Sequence, residues 1–112
     1  MTTSTPALCI VVARDFTDTP GPRHRDEGDF SGDRFKEEIL APKFKEALAL
    51  NAALVIDLDG TEGYATSFLE AAFGGLAREF GSEKVRRHLD YKSLEEPYLI
   101  EEINRYITEA EK

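Results

Sequence analysis

Two carboxylates, Asp57 and Asp59, close an apolar run in Val55-Ile56-Asp57-Leu58-Asp59-Gly60-Thr61. Carboxylates can act as nucleophiles, as general acids or bases and as Mg²⁺ ligands, so a pair closing a strand is a candidate for such chemistry. After Thr61 the chain has a single aspartate, Asp90, and no Asp-x-x-x-Asp to complete a Mg²⁺ site. Asp-Gly after a strand is also ordinary turn chemistry. Ser67 is the next candidate. With Glu70 it forms Ser-x-x-Glu before an apolar stretch, a capping box in which the hydroxyl accepts from the Glu70 N–H. A phosphoryl group on Ser67 would gain from the helix N-terminus but would sit beside the negative Glu70. A third candidate is the loop of Gly28, Ser31 and Gly32, where Arg23 or Arg34 could supply charge to an anion or small ligand. The simpler role for that loop is to lead into a helix. His24 and His88 lie far apart and no metal site is expected. Cys9, within the apolar run from Ala7 to Ala13, reads as a buried thiol.

Taken locally, the Asp57–Thr61 segment resembles the first motif of the haloacid dehalogenase phosphatases, which implies Asp57 as nucleophile, Asp59 as general acid/base and Mg²⁺ held between carboxylates. That family continues through a longer core with a Ser/Thr, a Lys and a further acidic pair, which this chain does not supply. A small Mg²⁺-dependent phosphate-handling enzyme using Asp57 and Asp59 is therefore the alternative, together with a small-ligand sensor. A broader similarity runs from about residue 23 to 107, carried by GDFSGDRFKEEILAPKF and VIDLDGTEGYATSFLEAAFGGL. These blocks resemble the STAS-like family of unknown function, and the second also resembles STAS domains of anti-sigma factor antagonists. The resemblance implies a small α/β domain with helices packed on a mostly parallel or mixed sheet of 3–5 strands. It implies a non-catalytic regulatory or scaffolding role with no cofactor and a protein partner, such as a histidine-kinase-like ATPase or an anti-sigma-type kinase. Partner contacts would then come from Tyr64, Thr66, Ser67, Phe68, Ala71 and Gly75, with Ser67 on the serine that antagonists offer for phosphorylation. The chain departs from that pattern where Ala65 replaces an Asp and Phe68 replaces a Gly.

These residues need elements to hold them. Leu8 to Ala13 is continuously apolar and reads as a strand buried on both faces. Thr19-Pro20-Gly21-Pro22 is a turn, and the polar stretch to Gly32 is a loop. Ser31 is placed to cap a helix beginning near Asp33. Phe35, Ile39, Phe44, Ala47 and Leu48 keep helical spacing, with Pro42 either kinking one helix or starting a second. Ala53 to Leu58 is the second strand, and 67–80 is a helix closed by Gly81. On that helix Leu69, Ala72, Phe73, Leu76 and Phe80 form the stripe facing the sheet. Phe68, Ala71 and Gly75 form a small-residue flank for a neighbouring helix or a partner. The adjacent Gly74 and Gly75, costly in a helix, signal close packing there. Val85, Arg87, Leu89 and Tyr91 alternate as a third strand over 85–91, and Pro97 opens a last helix with Leu99, Ile103, Tyr106 and Ala110 on one face. The order β–loop–α–β–α–β–α is that of an α/β domain.

Composition bounds the rest. A chain of 112 residues, 41% hydrophobic and 32% charged, fits one domain spanning 1–112 with a core of its own. The net charge of −8 disfavours nucleic acid and anionic membranes as partners. The Arg23-His24-Arg25 patch is followed at once by Asp26 and Glu27 and reads as a solvated loop. A single cysteine, an N-terminus without a basic or apolar leader, and no apolar run of membrane-spanning length make the cytoplasm the expected location.

Overall fold

The computed structural model describes residues 8–22, 26, 28 and 30–110. Three four-residue strands, β1 (Leu8–Val11), β2 (Leu54–Asp57) and β3 (Leu89–Lys92), form a sheet in the order β1-β2-β3. Both pairings are parallel, aligning Leu8 with Leu54 and Leu89, and Val11 with Asp57 and Lys92. Side chains alternate along a strand, so Ile10, Leu54, Ile56 and Leu89 share one face, and all four are buried. The opposite face carries Cys9, Val11, Val55, Asp57, Asp90 and Lys92, which are exposed or half-buried. Right-handed crossovers between strands laid down in sequential order pass over the same side of a sheet, which accounts for the single covered face. Two expectations are corrected here. The first strand is buried on one face only, and Cys9 is an exposed thiol.

β1 ends sooner than its apolar run, because the chain winds into a single turn, α1 (Val12–Asp15). The Asp15 carboxylate accepts the Val11 N–H at 2.8 Å and pairs with the Arg14 guanidinium at 2.9 Å. That carboxyl is held below its usual range first by Arg14 and then by the Val11 N–H. Leu8 and Ile10 still contribute to the core on the helix side.

The segment 32–50 is one helical rod, α2, made of Gly32–Phe35, a π turn at Lys36–Leu40, and Ala41–Leu50. Ser31 caps it as expected: its hydroxyl accepts the Arg34 N–H at 3.1 Å. Pro42 neither breaks nor starts the rod. It lies in the first turn of the α-helical stretch Ala41–Leu50, with Ala41 between it and the π turn, where the widened backbone absorbs the hydrogen bond that proline cannot donate. Asn51, in the left-handed conformation, ends the rod.

The segment 66–80 forms a second rod, α3, with its own π turn at Glu70–Gly74 between Thr66–Leu69 and Gly75–Phe80. The expected third strand over 85–91 is corrected. Residues Ser82–His88 form a helix, α4, and only Leu89–Lys92 pair with β2. In α4 Val85 points into the core, the Ser82 hydroxyl donates to the Ile107 carbonyl at 2.7 Å, and Arg86, Arg87 and His88 sit in the last turn, where the helix dipole favours cations. The last helix, α5 (Tyr98–Glu109), follows Pro97 and buries Leu99, Ile103, Tyr106 and Ile107. No helix among the described residues is long and apolar enough to cross a membrane.

Candidate functional site

Asp57 ends β2, Asp59 and Tyr64 lie on the connection from β2 to α3, and Thr66 and Ser67 open α3, so all five gather at the carboxyl end of β2. In parallel α/β sheets this end is where binding loops gather. Here the connection is tied to the loops after β1 and β3. The Leu58 N–H donates to the Lys92 carbonyl at 2.8 Å, and the Glu62 N–H donates to the Asp18 carbonyl at 2.8 Å. The Gly60 N–H donates to Glu95 Oε1 at 2.8 Å. In return Asp59 accepts the backbone N–H groups of Leu94 at 3.1 Å and Glu95 at 2.9 Å. The Tyr64 hydroxyl closes the loop on itself by donating to the Leu58 carbonyl at 3.0 Å.

These bonds define what the two aspartates can do. The N–H groups of Glu95 and Leu94, with a smaller contribution from Lys92, hold the Asp59 carboxyl below its usual range. An ionised group receiving two N–H donors is a loop clamp and a poor proton donor. Asp57 accepts the Asp59 N–H at 3.1 Å through Oδ1, an Asx turn, while its Oδ2 lies 3.6 Å from Lys92 Nζ on the uncovered sheet face. Among the described residues no group of three or more His, Cys, Asp or Glu is arranged to hold a metal ion. Tyr64 is half-buried, and this burial pushes its hydroxyl above the ordinary tyrosine range, so it stays protonated as a donor.

The position of Ser67 differs from the capping-box expectation. The helix starts one residue earlier, with Ala65 as the cap residue and no side-chain cap. Ala65 supplies its carbonyl to the N–H groups of Phe68 and Leu69, at 3.1 and 3.2 Å. Ser67 is thus in the first turn and half-buried, Thr66 and Ala65 are exposed, and Glu70 instead pairs with Arg78 at 2.7 Å.

The flank of Phe68, Ala71 and Gly75 is divided. Phe68 and Ala71 are buried, so they are not available as a partner surface. Phe68 packs in an aromatic cluster with ring centroids of Phe35 at 5.8 Å, Tyr64 at 6.0 Å and Phe16 at 6.3 Å. Gly32 is the reason the two rods can meet: a Cβ there would lie 2.6 Å from the Phe68 carbonyl oxygen and 2.9 Å from the Ala71 Cβ. The flank therefore serves a neighbouring helix of the same chain. Gly75 is half-buried beneath Lys36, whose Cδ would sit 3.1 Å from an added Cβ. Gly74 is covered by the Glu70–Arg78 pair. Both glycines are thus roofed by flexible side chains.

Of the second candidate loop, Ser31 and Gly32 are buried structural residues and Gly28 is exposed with φ 156°. Arg23 lies outside the described residues. Arg34 stacks over the Phe30 ring at 5.0 Å and pairs with Glu38 at 3.0 Å. What remains grouped and accessible is the 60–67 connection: Glu62, Ala65 and Thr66, with Tyr64 and Ser67 half-buried beside them. Sequence reasoning missed Asp18 and Glu95, which clamp this connection from loops distant in the chain; no local pattern announces them.

The model of a family described as a STAS-like domain of unknown function matches residues 31–99. No curated protein and no solved structure matches the chain. The matched span contains the Ser31 cap, the Gly32 contact, both π turns, the Asp59 clamp and all of the 60–67 connection, and on this basis the chain belongs to the STAS-like domains of unknown function.

Proposed function

We propose that this domain is a non-catalytic regulatory or scaffolding module that acts by protein–protein contact through the 60–67 connection. The observation that carries this reading is the construction of that connection. It is held by hydrogen bonds to the loops after β1 and β3, yet it presents Ala65 and Thr66 outward beside an uncapped helix start. A pre-shaped loop loses little conformational freedom on docking, which is what a recognition surface needs. The similarity to anti-sigma factor antagonists points to a histidine-kinase-like ATPase or anti-sigma-type kinase as the partner. Ser67 is then the residue such a kinase would modify.

The test is affinity capture of the tagged protein with Thr66→Arg as control, followed by incubation with the captured kinase and ATP. The expected result is an ATPase of that class recovered with the wild type and lost with Thr66→Arg at unchanged melting temperature. A phosphoryl mass increment that disappears in Ser67→Ala is expected to accompany it. Equal capture by both proteins overturns the loop as the contact. Mg²⁺-dependent phosphatase turnover abolished by Asp57→Asn would replace the whole reading with an enzyme.

A further inference from the structure

Residues 85–88, expected within the third strand, are helical, and this changes where their charges fall. In an alternating strand over 85–91 Arg86 and His88 would share one side and Arg87 the other. In α4, Lys84, Arg87 and His88 share a face at i, i+3 and i+4. Together with Leu48, Phe80, Gly81 and Glu83 they line a groove of about 340 Å³ with an apolar floor, where the charges are two cations, Lys84 and Arg87, and the Glu83 carboxylate. Lys84 makes no ion pair among the described residues, and Arg87 reaches only Glu83 of its own helix, at 3.4 Å, with both side chains largely exposed. Leu50, 58% exposed, lies at the same end of the molecule.

The complementary chemistry sits at the opposite end of β3. His88 immediately precedes that strand, whereas Leu94 follows it by two residues, a separation of roughly 15–20 Å along the strand. The segment Leu94-Glu95-Glu96-Pro97-Tyr98 exposes two large apolar side chains, Leu94 at 76% and Tyr98 at 55%, with acidic residues between them. Leu50, Leu94 and Tyr98 are three of the four exposed large hydrophobic side chains among the described residues, and the fourth is Phe30. The segment is rigidly presented, since Asp59 holds the Leu94 and Glu95 N–H groups.

We infer that a second copy of this chain is the groove's occupant: the acidic, apolar 94–98 segment of one molecule docks into the Lys84–Arg87–His88 groove of the next. The two surfaces differ and lie at opposite ends, so the contact is heterologous and propagates head to tail. At a net charge of −8 two copies repel in most orientations. Lys84 and Arg87 meeting Glu95 and Glu96 of the next copy is an alignment that relieves this. The inference does not depend on the reading of the 60–67 connection.

Sedimentation velocity of the full chain at rising concentration tests it, using a groove variant (Lys84→Glu with Arg87→Glu) and a segment variant (Leu94→Ser with Tyr98→Ser). The wild type is expected to form concentration-dependent oligomers that weaken with added NaCl, and each variant alone to associate at least tenfold more weakly. Mixing the two variants is expected to restore a single heterodimer and nothing larger, because one intact groove meets one intact segment. If the double charge reversal unfolds the domain, Lys84→Glu alone serves. A wild type that stays monomeric to millimolar concentration overturns the inference. So does association untouched by either variant, or a mixture that fails to recover the heterodimer.

Discussion

Asp59 is used by the fold in its ionised form, since the carboxylate accepts two backbone N–H groups from the loop after β3. Its carboxyl therefore titrates below the unfolded value of about 3.9. A carboxyl depressed in the folded state contributes stability that is complete above the unfolded pKa and is lost as pH falls through the folded pKa. Asp59→Asn should lower the melting temperature at pH 7, and the gap from wild type should narrow steadily below about pH 4. Thermal melts across pH 2–7 check this, and a constant gap would remove the electrostatic role. The Asp-x-Asp-Gly-Thr motif stands out in the sequence, but its use does not. The donors that claim Asp59 lie 35 and 36 residues downstream, and no local pattern links them. Ser31 was legible for the opposite reason, because a cap bonds to a residue three positions away.

Two glycines show how the rods α2 and α3 depend on different kinds of neighbour. A Cβ at Gly32 would meet the backbone of α3, which cannot swing away, whereas one at Gly75 would meet the Lys36 side chain. Gly32→Ala should destabilise the protein by about 1–3 kcal/mol, the usual range for overpacking. Gly75→Ala should change stability by less than about 1 kcal/mol, since the gain in helix propensity offsets displacement of Lys36. Urea denaturation of both variants decides the matter, and equal losses would show that the two contacts are equally rigid. At this scale the sequence resolved the long elements better than the short ones. The last helix was legible because Leu99, Ile103 and Tyr106 repeat across its 12 residues. The seven-residue α4 buries only Ser82 and Val85, too few positions for a helical period to emerge, and the chance alternation of Val85, Arg87, Leu89 and Tyr91 imitates a strand.

The molecule as a whole is a one-sided sandwich, with helices over one face of the sheet and the other face uncovered among the described residues. Neighbouring residues of the central strand should therefore respond very differently to substitution. Ile56→Ala should cost about 2–5 kcal/mol, as for other large-to-small core changes. Val55→Thr, on the uncovered face, should cost less than about 1 kcal/mol. Chemical denaturation of the pair checks this, and a large loss at Val55 would mean that something covers that face in solution. The α/β class was legible from element order, and the sheet, expected to be mostly parallel or mixed with 3–5 strands, is three strands paired in parallel. The uncovered face was not legible, because Leu8 to Ala13 is apolar at every position and so looks alike whether one face or two are covered. The two π turns, Lys36–Leu40 and Glu70–Gly74, bear on the family's history. A π turn houses one residue more than the α-helical turn it replaces and leaves the helix on either side in phase. Relatives one residue shorter within either segment can bury the same side chains with an unbroken α-helix, so gaps in an alignment of the family belong inside these rods as readily as in the loops between them.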